Sequence, residues 1–438
     1  GCAIVMEVET GKIRAIANLT RDPNGNYTET FNYAIGEARD PGSTFKLASM
    51  IAALEAGGVN PDDTVDTGDG KYTFHGKEMK DSHEGGYGKI TLREAFEYSS
   101  NVGISKMIYN SFNYRKEVFI DQLYSMHLHE TLGVEIPGEA VPTIRRPSEG
   151  WSKITLTQMS IGYELLMTPL QMLTFYNAIA NNGKMVKPRF IEHLSYRGNV
   201  IKKFETEVID ESICSEKTLK AVQEMLEGVV TRGTAKNLLN NNYRIAGKTG
   251  TAQTDYGKAG IEHEYQASFA GYFPAENPKY SCIVVINQPD KTTGYYANAV
   301  AGPVFKEIAD RIHATDIATA YNENFSFDTI IPQAKTGYRT EITKIYRILG
   351  FETDNSMNIQ GQFSKPYIEN RQVKYYPRNF SNMSQIPDVR GMGIRDALIV
   401  LEERGLKVNI EGRGKIISQE PGPNQSFKQG QTIKLKLR

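Results

Sequence analysis

The sequence predicts an α+β fold in which one antiparallel sheet is built from both ends of a long first segment. Two strand-like runs open the chain, and three more follow a mostly helical stretch of more than 200 residues. A third observation concerns the C-terminus, where one helical pattern precedes three short alternating runs. This ending predicts a second, smaller α+β domain.

The five predicted strands of the large sheet combine apolar and β-branched residues and are bounded by turn or polar segments. The turn Glu9-Thr10-Gly11-Lys12 joins the first two strands. The predicted strands are residues 3–8, 13–19, 243–253, 266–273 and 280–287.

Helices are predicted where apolar residues recur every three to four positions between a start signal and a stop signal. Leu47, Ile51 and Leu54 share one face of the first helix, and glycines follow it as a C-cap. Capping boxes at Thr91 and Thr168 begin two others. The predicted helices of this first segment are residues 43–56, 92–99, 169–182, 216–231 and 303–313.

The chain is interpreted as three parts. Residues 1–314 carry the large sheet and its helical insert. Residues 315–384 are polar and rich in Tyr and Asn, contain one predicted helix at 341–349, and are interpreted as a connector or a degenerate small module. Residues 385–438 form the small C-terminal domain. Its predicted elements are a helix at 394–404 and strands at 406–410, 415–419 and 432–437.

Charge and composition exclude several classes of protein. The 51 Lys and Arg balance the 51 Asp and Glu, so the chain has no overall basic field for nucleic acid. No run of about 18 apolar residues is present to span a membrane. The cysteines Cys2, Cys214 and Cys282 are expected to be buried free thiols, because they match no zinc pattern. His127 and His129 lack a third ligand at metal-binding spacing, so no metal or cofactor is expected.

The motif Ser-x-x-Lys occurs once, at Ser43 to Lys46, where a predicted helix begins. Residues i and i+3 lie on one helical face, so the lysine amine is placed near the serine hydroxyl. A serine hydroxyl needs a nearby base to act as a nucleophile, and the unpaired N–H groups of a helix start favour a developing oxyanion. An N-cap serine with a surface lysine would give the same four residues, so the motif alone does not decide.

Two further motifs occur more than once, and their contexts differ. Ser-x-Asn occurs at 99–101, 111–113 and 356–358, and only Ser99 to Asn101 lies at a predicted break between helices. Lys-Thr-Gly occurs at 248–250, in a predicted strand and followed by Thr251, and again at 335–337, which is interpreted as a solvated loop. A strand bearing Lys-Thr-Gly-Thr places a cation and two hydroxyls along one edge, and its glycine allows a substrate backbone to approach.

The order of the motifs decides the interpretation. Ser-x-x-Lys, Ser-x-Asn and Lys-Thr-Gly follow one another, with 56 residues from Ser43 to Ser99 and 149 from Ser99 to Lys248. This motif set is typical of penicillin-binding proteins and class A β-lactamases. Over residues 1–314 the chain resembles class B penicillin-binding proteins, peptidoglycan D,D-transpeptidases of division or sporulation. Residues 385–438 resemble a PASTA domain through Ile386-Pro387-Asp388-Val389 and Gln419-Glu420-Pro421-Gly422.

The resemblance implies the penicillin-recognising serine transpeptidase fold, a five-stranded antiparallel sheet with a mostly helical insert, joined to a small α+β PASTA domain. It also implies a role for each motif residue. Ser43 is acylated by the penultimate D-Ala of a stem peptide, and Lys46 takes its proton. Ser99 relays a proton to the leaving group, while Asn101 binds the substrate amide and holds Lys46. The backbone N–H groups of Ser43 and Thr251 form the oxyanion hole.

The third motif is implied to bind the end of the substrate. Lys248 supplies a second cation that lowers the pKa of Lys46. The hydroxyls of Thr249 and Thr251 bind the terminal carboxylate, and Gly250 lies between them in the substrate-binding strand.

The resemblance further implies β-lactam antibiotics as ligands, membrane proteins of cell division as partners, and a membrane-anchored location on the periplasmic face. No cofactor is implied. A β-lactamase is disfavoured because the Glu-x-x-Leu-Asn loop is absent: the only Leu-Asn, at Leu239, follows Lys236. A D,D-carboxypeptidase and a non-catalytic β-lactam sensor or division scaffold stay open as alternatives. The PASTA-like tail is expected to contact partners or the wall and to perform no chemistry.

Overall fold

The structure, a computed structural model, describes residues 1–197, 199–254, 264–290, 292, 294–324, 331–332, 334–354, 363–369, 372–378, 380 and 382–438. The chain has two compact units, Gly1–Ala320 and Tyr321–Arg438. No helix among these residues is both long enough and apolar enough to cross a bilayer.

The first unit contains a five-stranded antiparallel sheet, as the sequence predicts. Its strands are β1 Cys2–Glu7, β2 Ile13–Asn18, β3 Ala246–Thr254, β4 Glu264–Phe273 and β5 Tyr280–Asn287. The order across the sheet is β3-β4-β5-β1-β2, and every neighbouring pair is antiparallel. The insert leaves the sheet after β2 at one edge and returns at β3 on the other edge, so it crosses the sheet. Edge strand β3 carries the first Lys-Thr-Gly.

The helices of the first unit lie in the insert, except for one at its end. Those longer than one turn are α1 Lys46–Glu55, α2 Leu92–Glu97, α3 Asn101–Phe112, α4 Lys116–Ser125, α5 Thr155–Met159, α6 Pro169–Ala180, α7 Glu216–Thr231 and α8 Ala297–Asn324, and a single helical turn lies at Tyr33–Gly36. The predicted helix at 303–313 is therefore longer than expected, because the helix starts before Pro303 and accommodates it in its interior.

Helices cover both faces of the sheet. Every residue of α6 is buried, and its Asn177 donates to the Val8 carbonyl and accepts from the Ser281 hydroxyl at 2.7 Å. On the opposite face, Phe305 of α8 packs edge-on against Phe269, with ring centroids 4.7 Å apart. Ser281 and Phe269 point to opposite faces because side chains alternate along paired strands. Cys2, Cys214 and Cys282 are buried free thiols, as predicted.

The second unit contains two small modules. The C-terminal module has the predicted order of one helix and three strands, α10 Ile394–Glu402, β9 Lys407–Gly412, β10 Ile416–Glu420 and β11 Thr432–Leu437. The middle module contains β6 Gly337–Tyr338, the expected helix α9 Arg339–Ile348, and two strands that the sequence analysis did not predict, β7 Phe363–Glu369 and β8 Gln372–Arg378.

The middle module repeats features of the C-terminal module at an offset of 55 residues. Gly350 and Gly405 each follow a helix with positive φ, at 78° and 72°. After these glycines, Thr353 pairs in parallel with Val373 of β8, just as β9 pairs in parallel with β11. The second Lys-Thr-Gly lies where this module begins. The interpretation of that motif as a solvated loop is wrong, because Thr336 is only 1% exposed and bridges to Met392.

Candidate active site

Ser43 lies in a short 3-10 helix, Gly42–Phe45, and α1 begins at Lys46. The sequence predicted one continuous helix here. In a 3-10 turn, side chains three residues apart lie over one another, so Ser43 and Lys46 share one side of the turn. Ser43 is partly exposed, whereas Lys46 is fully buried. The turn therefore presents a hydroxyl to solvent above a buried amine.

Neighbouring elements hold the Ser43 turn from several sides. The Tyr176 hydroxyl of α6 donates to the Thr44 carbonyl at 2.8 Å, and burial raises the pKa of Tyr176 well above its ordinary value. The Gly42 N–H donates to the Gly162 carbonyl at 3.0 Å. A Cβ on Gly162 would lie 2.1 Å from the Gly42 carbonyl oxygen, so glycine is required at this approach.

The buried amine of Lys46 joins the first two motifs. Its Nζ lies 2.7 Å from Asn101 Oδ1, 2.6 Å from the Ser99 carbonyl oxygen and 3.1 Å from the Ser99 hydroxyl. Burial lowers the pKa of Lys46 to about 7, while the nearby charge of Asp81 acts in the opposite direction. Near neutral pH, a substantial fraction of the Lys46 amine is therefore neutral and able to accept a proton. The amine also contacts the Ser99 hydroxyl, which can pass a proton onward.

Ser99 lies between two helices, as the sequence predicts for this copy of Ser-x-Asn. α2 ends at Glu97, α3 begins at Asn101, and Ser99 has a φ of 59°, which is uncommon for a non-glycine residue. The Ser99 N–H donates to Phe96 O at 3.1 Å, and its carbonyl oxygen is held by Lys46. The strained conformation is therefore fixed by the same amine that the hydroxyl contacts.

Asp81 is a site residue that the sequence analysis missed. Its carboxylate accepts from the Ser100 hydroxyl at 2.9 and 3.0 Å and from the Val102 N–H at 2.9 Å, so it caps the start of α3. The carbonyl of the preceding Lys80 accepts from the Asn101 amide at 2.8 Å. The loop before α2 therefore orients the amide that holds the Lys46 amine. Because Asp81 lies outside all three motifs, only its spatial position could reveal it.

Lys248 of β3 is also fully buried. Its Nζ donates to the Thr249 carbonyl at 3.1 Å and lies 5.8 Å from the centroid of the Phe96 ring. Burial, and then the charge of Lys46, lower the pKa of Lys248 well below its ordinary value. The resemblance implied that Lys248 lowers the pKa of Lys46. Burial is the first cause of the lowered pKa at both amines, and the repulsion between them disfavours the state in which both are protonated.

The remainder of the third motif extends along β3. A Cβ on Gly250 would lie 2.5 Å from the Ser268 hydroxyl and 2.8 Å from the Thr44 side chain. Gly250 therefore lets the strand pack against the Ser43 turn. The sequence predicted that this glycine admits a substrate backbone, and on this side it admits the protein's own Ser43 turn. The Thr251 hydroxyl accepts from the Ala297 N–H at 3.2 Å, which leaves its own proton available to a ligand.

The structure thus brings residues of the three motifs together around Lys46 and β3, and the second Ser-x-Asn copy lies apart from them. Ser111 and Asn113 end α3, away from its capped start, and residues 356–358 lie outside the described residues. The His127 ring contacts Glu130 and Asp210 at 3.3 and 3.1 Å. Within the described ranges, no three His, Cys, Asp or Glu side chains gather into a metal-binding group.

Comparisons with known proteins agree with this geometry. Residues 1–310 match the penicillin binding protein transpeptidase domain, and residues 384–438 match the PASTA domain. The chain is 31% identical to the peptidoglycan D,D-transpeptidase FtsI of Escherichia coli over 314 residues, covering 70% of this chain and 50% of that protein. It is 26% identical to stage V sporulation protein D of Bacillus subtilis over 413 residues, covering 93% and 55%.

A solved structure of penicillin-binding protein 3 from Mycobacterium tuberculosis, in complex with aztreonam, superimposes with a TM-score of 0.62 at 30% identity. The match covers 72% of each chain. The chain spans about half the length of the first curated relatives it matches. Because the transpeptidase match covers well over half of the sequence, the chain belongs to the penicillin-binding protein transpeptidase family and carries a PASTA domain at residues 384–438.

Proposed function

We propose that this protein is a serine-type D,D-transpeptidase that cross-links peptidoglycan stem peptides through an acyl-enzyme at Ser43 and is acylated by β-lactams. One observation carries the proposal. A buried lysine amine with a pKa of about 7 is held by Ser99 and Asn101, one helical turn from a partly exposed serine. A structural lysine would have little reason to be buried among three hydrogen-bond acceptors with no carboxylate hydrogen-bonded to it.

In the acylation step, Ser43 Oγ forms a bond to the carbonyl carbon of the penultimate D-Ala. Lys46 in its neutral form takes the hydroxyl proton, and Ser99 passes a proton to the nitrogen of the leaving D-Ala as the amide bond breaks. The backbone N–H groups of Ser43 and Thr251 stabilise the oxyanion, where one lost donor lowers the rate by about 100-fold or more.

The third motif binds the substrate's end in this proposal. The hydroxyls of Thr249 and Thr251 donate to the terminal carboxylate, and Gly250 keeps the strand close to Ser43. Strand β3 is an edge strand, so an extended stem peptide has free backbone groups to pair with. In the second half-reaction, an acceptor amine attacks the ester, the ester C–O bond breaks, and Ser43 regains its proton.

The same proposal predicts where in the cell the protein acts. Stem peptides lie outside the cytoplasmic membrane, so the protein acts at the extracytoplasmic face of that membrane. Two relatives are named peptidoglycan D,D-transpeptidase FtsI and stage V sporulation protein D, which supports a role in peptidoglycan synthesis. Within that role we propose septal synthesis, together with membrane proteins of cell division.

The test is the intact mass of the protein after incubation with benzylpenicillin, for the wild type and for Ser43→Ala. We expect one stable adduct on the wild type and none on the variant. A folded wild-type protein without an adduct would contradict the proposal and favour a scaffold. Rapid loss of the adduct would contradict the transpeptidase assignment, because hydrolysis must be slow enough for an amine to compete.

The D,D-carboxypeptidase alternative differs only in the acceptor. A donor stem peptide supplied with an acceptor amine distinguishes the two reactions. We expect cross-linked dimer to exceed the hydrolysed tetrapeptide, whereas hydrolysis alone would make the protein a carboxypeptidase.

A further inference from the structure

An ion pair between a buried carboxylate and an exposed arginine connects the Ser-x-Asn segment to the turn that follows α7. The side chain of Glu97 is 1% exposed, and it accepts from Arg232 Nε at 3.1 Å and from Arg232 Nη2 at 2.5 Å. This bidentate pair raises the pKa of Arg232. Glu97 lies two residues before Ser99, so the ion pair is next to the Ser-x-Asn segment.

The last turn of α7 and the residues that follow it pack closely on Glu97. Added Cβ atoms on Gly228 and Gly233 would lie 2.0 Å from the Glu97 carboxylate and 2.2 Å from its carbonyl oxygen. The Thr234 N–H donates to that same carbonyl at 3.2 Å. Two glycines, an ion pair and a backbone hydrogen bond thus fix the position of Thr234 relative to Glu97.

From this position, Thr234 contacts the third motif. Its Oγ1 lies 2.7 Å from Oγ1 of Thr249, and Thr249 is 7% exposed. The contact joins the turn to β3 across 15 residues of sequence. A hydroxyl fixed at this distance restricts the rotation of the Thr249 hydroxyl.

We propose that Thr234 is a positioning residue, held by the Glu97–Arg232 pair, that directs the hydroxyl proton of Thr249 toward the substrate carboxylate. The inference rests on the proposed function, in which Thr249 binds that carboxylate. When Thr234 donates to Thr249 Oγ1, the Thr249 proton points away from Thr234 and becomes a stronger donor, because hydrogen bonds in a chain polarise one another. Without Thr234, the Thr249 hydroxyl turns freely and loses part of its interaction with the carboxylate.

The test compares two probes, benzylpenicillin and its methyl ester, which lacks the carboxylate charge. The second-order rate constant of acylation is measured for the full chain with each probe. We expect Thr234→Val to lower the constant for benzylpenicillin about 5- to 10-fold, as the loss of one neutral hydrogen bond predicts, and to change the constant for the ester less than about twofold. Thr234→Ser keeps the hydroxyl and is expected to restore the wild-type constant within about twofold.

Two further variants show whether a negative result contradicts the role of Thr234 or the role of Thr249. Thr231→Val removes an exposed hydroxyl that donates to Glu227 O at the same end of α7, and we expect no change with either probe. Thr249→Val is expected to discriminate between the probes more strongly than Thr234→Val, which means that it lowers the acylation constant for benzylpenicillin relative to the ester by a larger factor. If Thr249→Val discriminates and Thr234→Val does not, or if Thr234→Val slows both probes equally, the positioning role is overturned while the proposed function stands. If Thr249→Val itself shows no discrimination, the carboxylate role of Thr249 fails, and this inference fails with it.

Discussion

Lys46 Nζ lies 2.7 Å from Asn101 Oδ1, and the same nitrogen has two contacts with Ser99. A charged ammonium has three protons and satisfies all three oxygens as a donor. A neutral amine has only two protons, so it keeps donors for the Ser99 carbonyl and the Asn101 amide oxygen and has one lone pair that can accept a proton. Loss of one proton therefore ends the donation to the Ser99 hydroxyl and makes the amine an acceptor for the Ser43 proton. The protonation state of Lys46 therefore determines whether it donates a proton to a neighbouring hydroxyl or accepts one from it.

The rate of acylation by benzylpenicillin is expected to rise with pH through about 7. Burial lowers the pKa of Lys46 to about 7, so the neutral amine that accepts the Ser43 proton increases above this value and declines below it. The measurement is the acylation rate constant from about pH 5.5 to 8.5. A rate independent of pH over this range would contradict Lys46 as the base.

Replacing Asp81 by Asn is expected to move the midpoint of this pH profile to a lower pH. The Asp81 charge raises the pKa of Lys46, so removing it makes the amine neutral at lower pH. The plateau rate is expected to fall several-fold, because an amide caps α3 less well than a carboxylate. Asp62→Asn is the control, since this 82% exposed carboxylate pairs with Arg93. A midpoint that stays in place in Asp81→Asn would contradict the electrostatic role.

Gly162→Ala is expected to damage both stability and acylation, and Gly150→Ala is its matched control. The two glycines have similar positive φ values, 85° and 88°, so an alanine pays about 1 kcal/mol of backbone strain at each. At Gly150 the added Cβ meets nothing within 4 Å, whereas at Gly162 it lies 2.1 Å from the Gly42 carbonyl oxygen.

We expect the unfolding free energy to fall by about 1 kcal/mol in Gly150→Ala and by about 3 kcal/mol or more in Gly162→Ala. Acylation is expected to slow only in Gly162→Ala, because Gly42 precedes Ser43. Chemical denaturation and the benzylpenicillin rate measure the two effects. Equal losses in both variants would show that the contact with Gly42 is unimportant.

Short-range sequence patterns predicted the elements that carry the motifs. The features that were missed depend on contacts between residues far apart in the sequence. The helix break at Ser99 followed from a capping box at Thr91 and from motif context. Asp81 could not be found in this way, because a carboxylate that caps a distant helix has no fixed spacing to it. The strands β7 and β8 were also missed, since their Tyr- and Lys-rich sequence is buried only by their neighbours in the second unit.

Truncation after Asn324 is expected to leave acylation by benzylpenicillin unchanged, whereas truncation after Ser384 is expected to give a protein that binds hydrophobic dyes. The motif residues all belong to the first unit, which has its own core. A chain ending at Ser384 keeps Phe363 but loses most of the core that buries it, since Phe363 is 6% exposed among residues of the C-terminal module. Acylation rate, thermal unfolding and dye fluorescence are measured on both forms beside the full chain. A folded protein ending at Asn324 with slowed acylation would mean that the second unit contributes to the active site, and would contradict a tail without a chemical role.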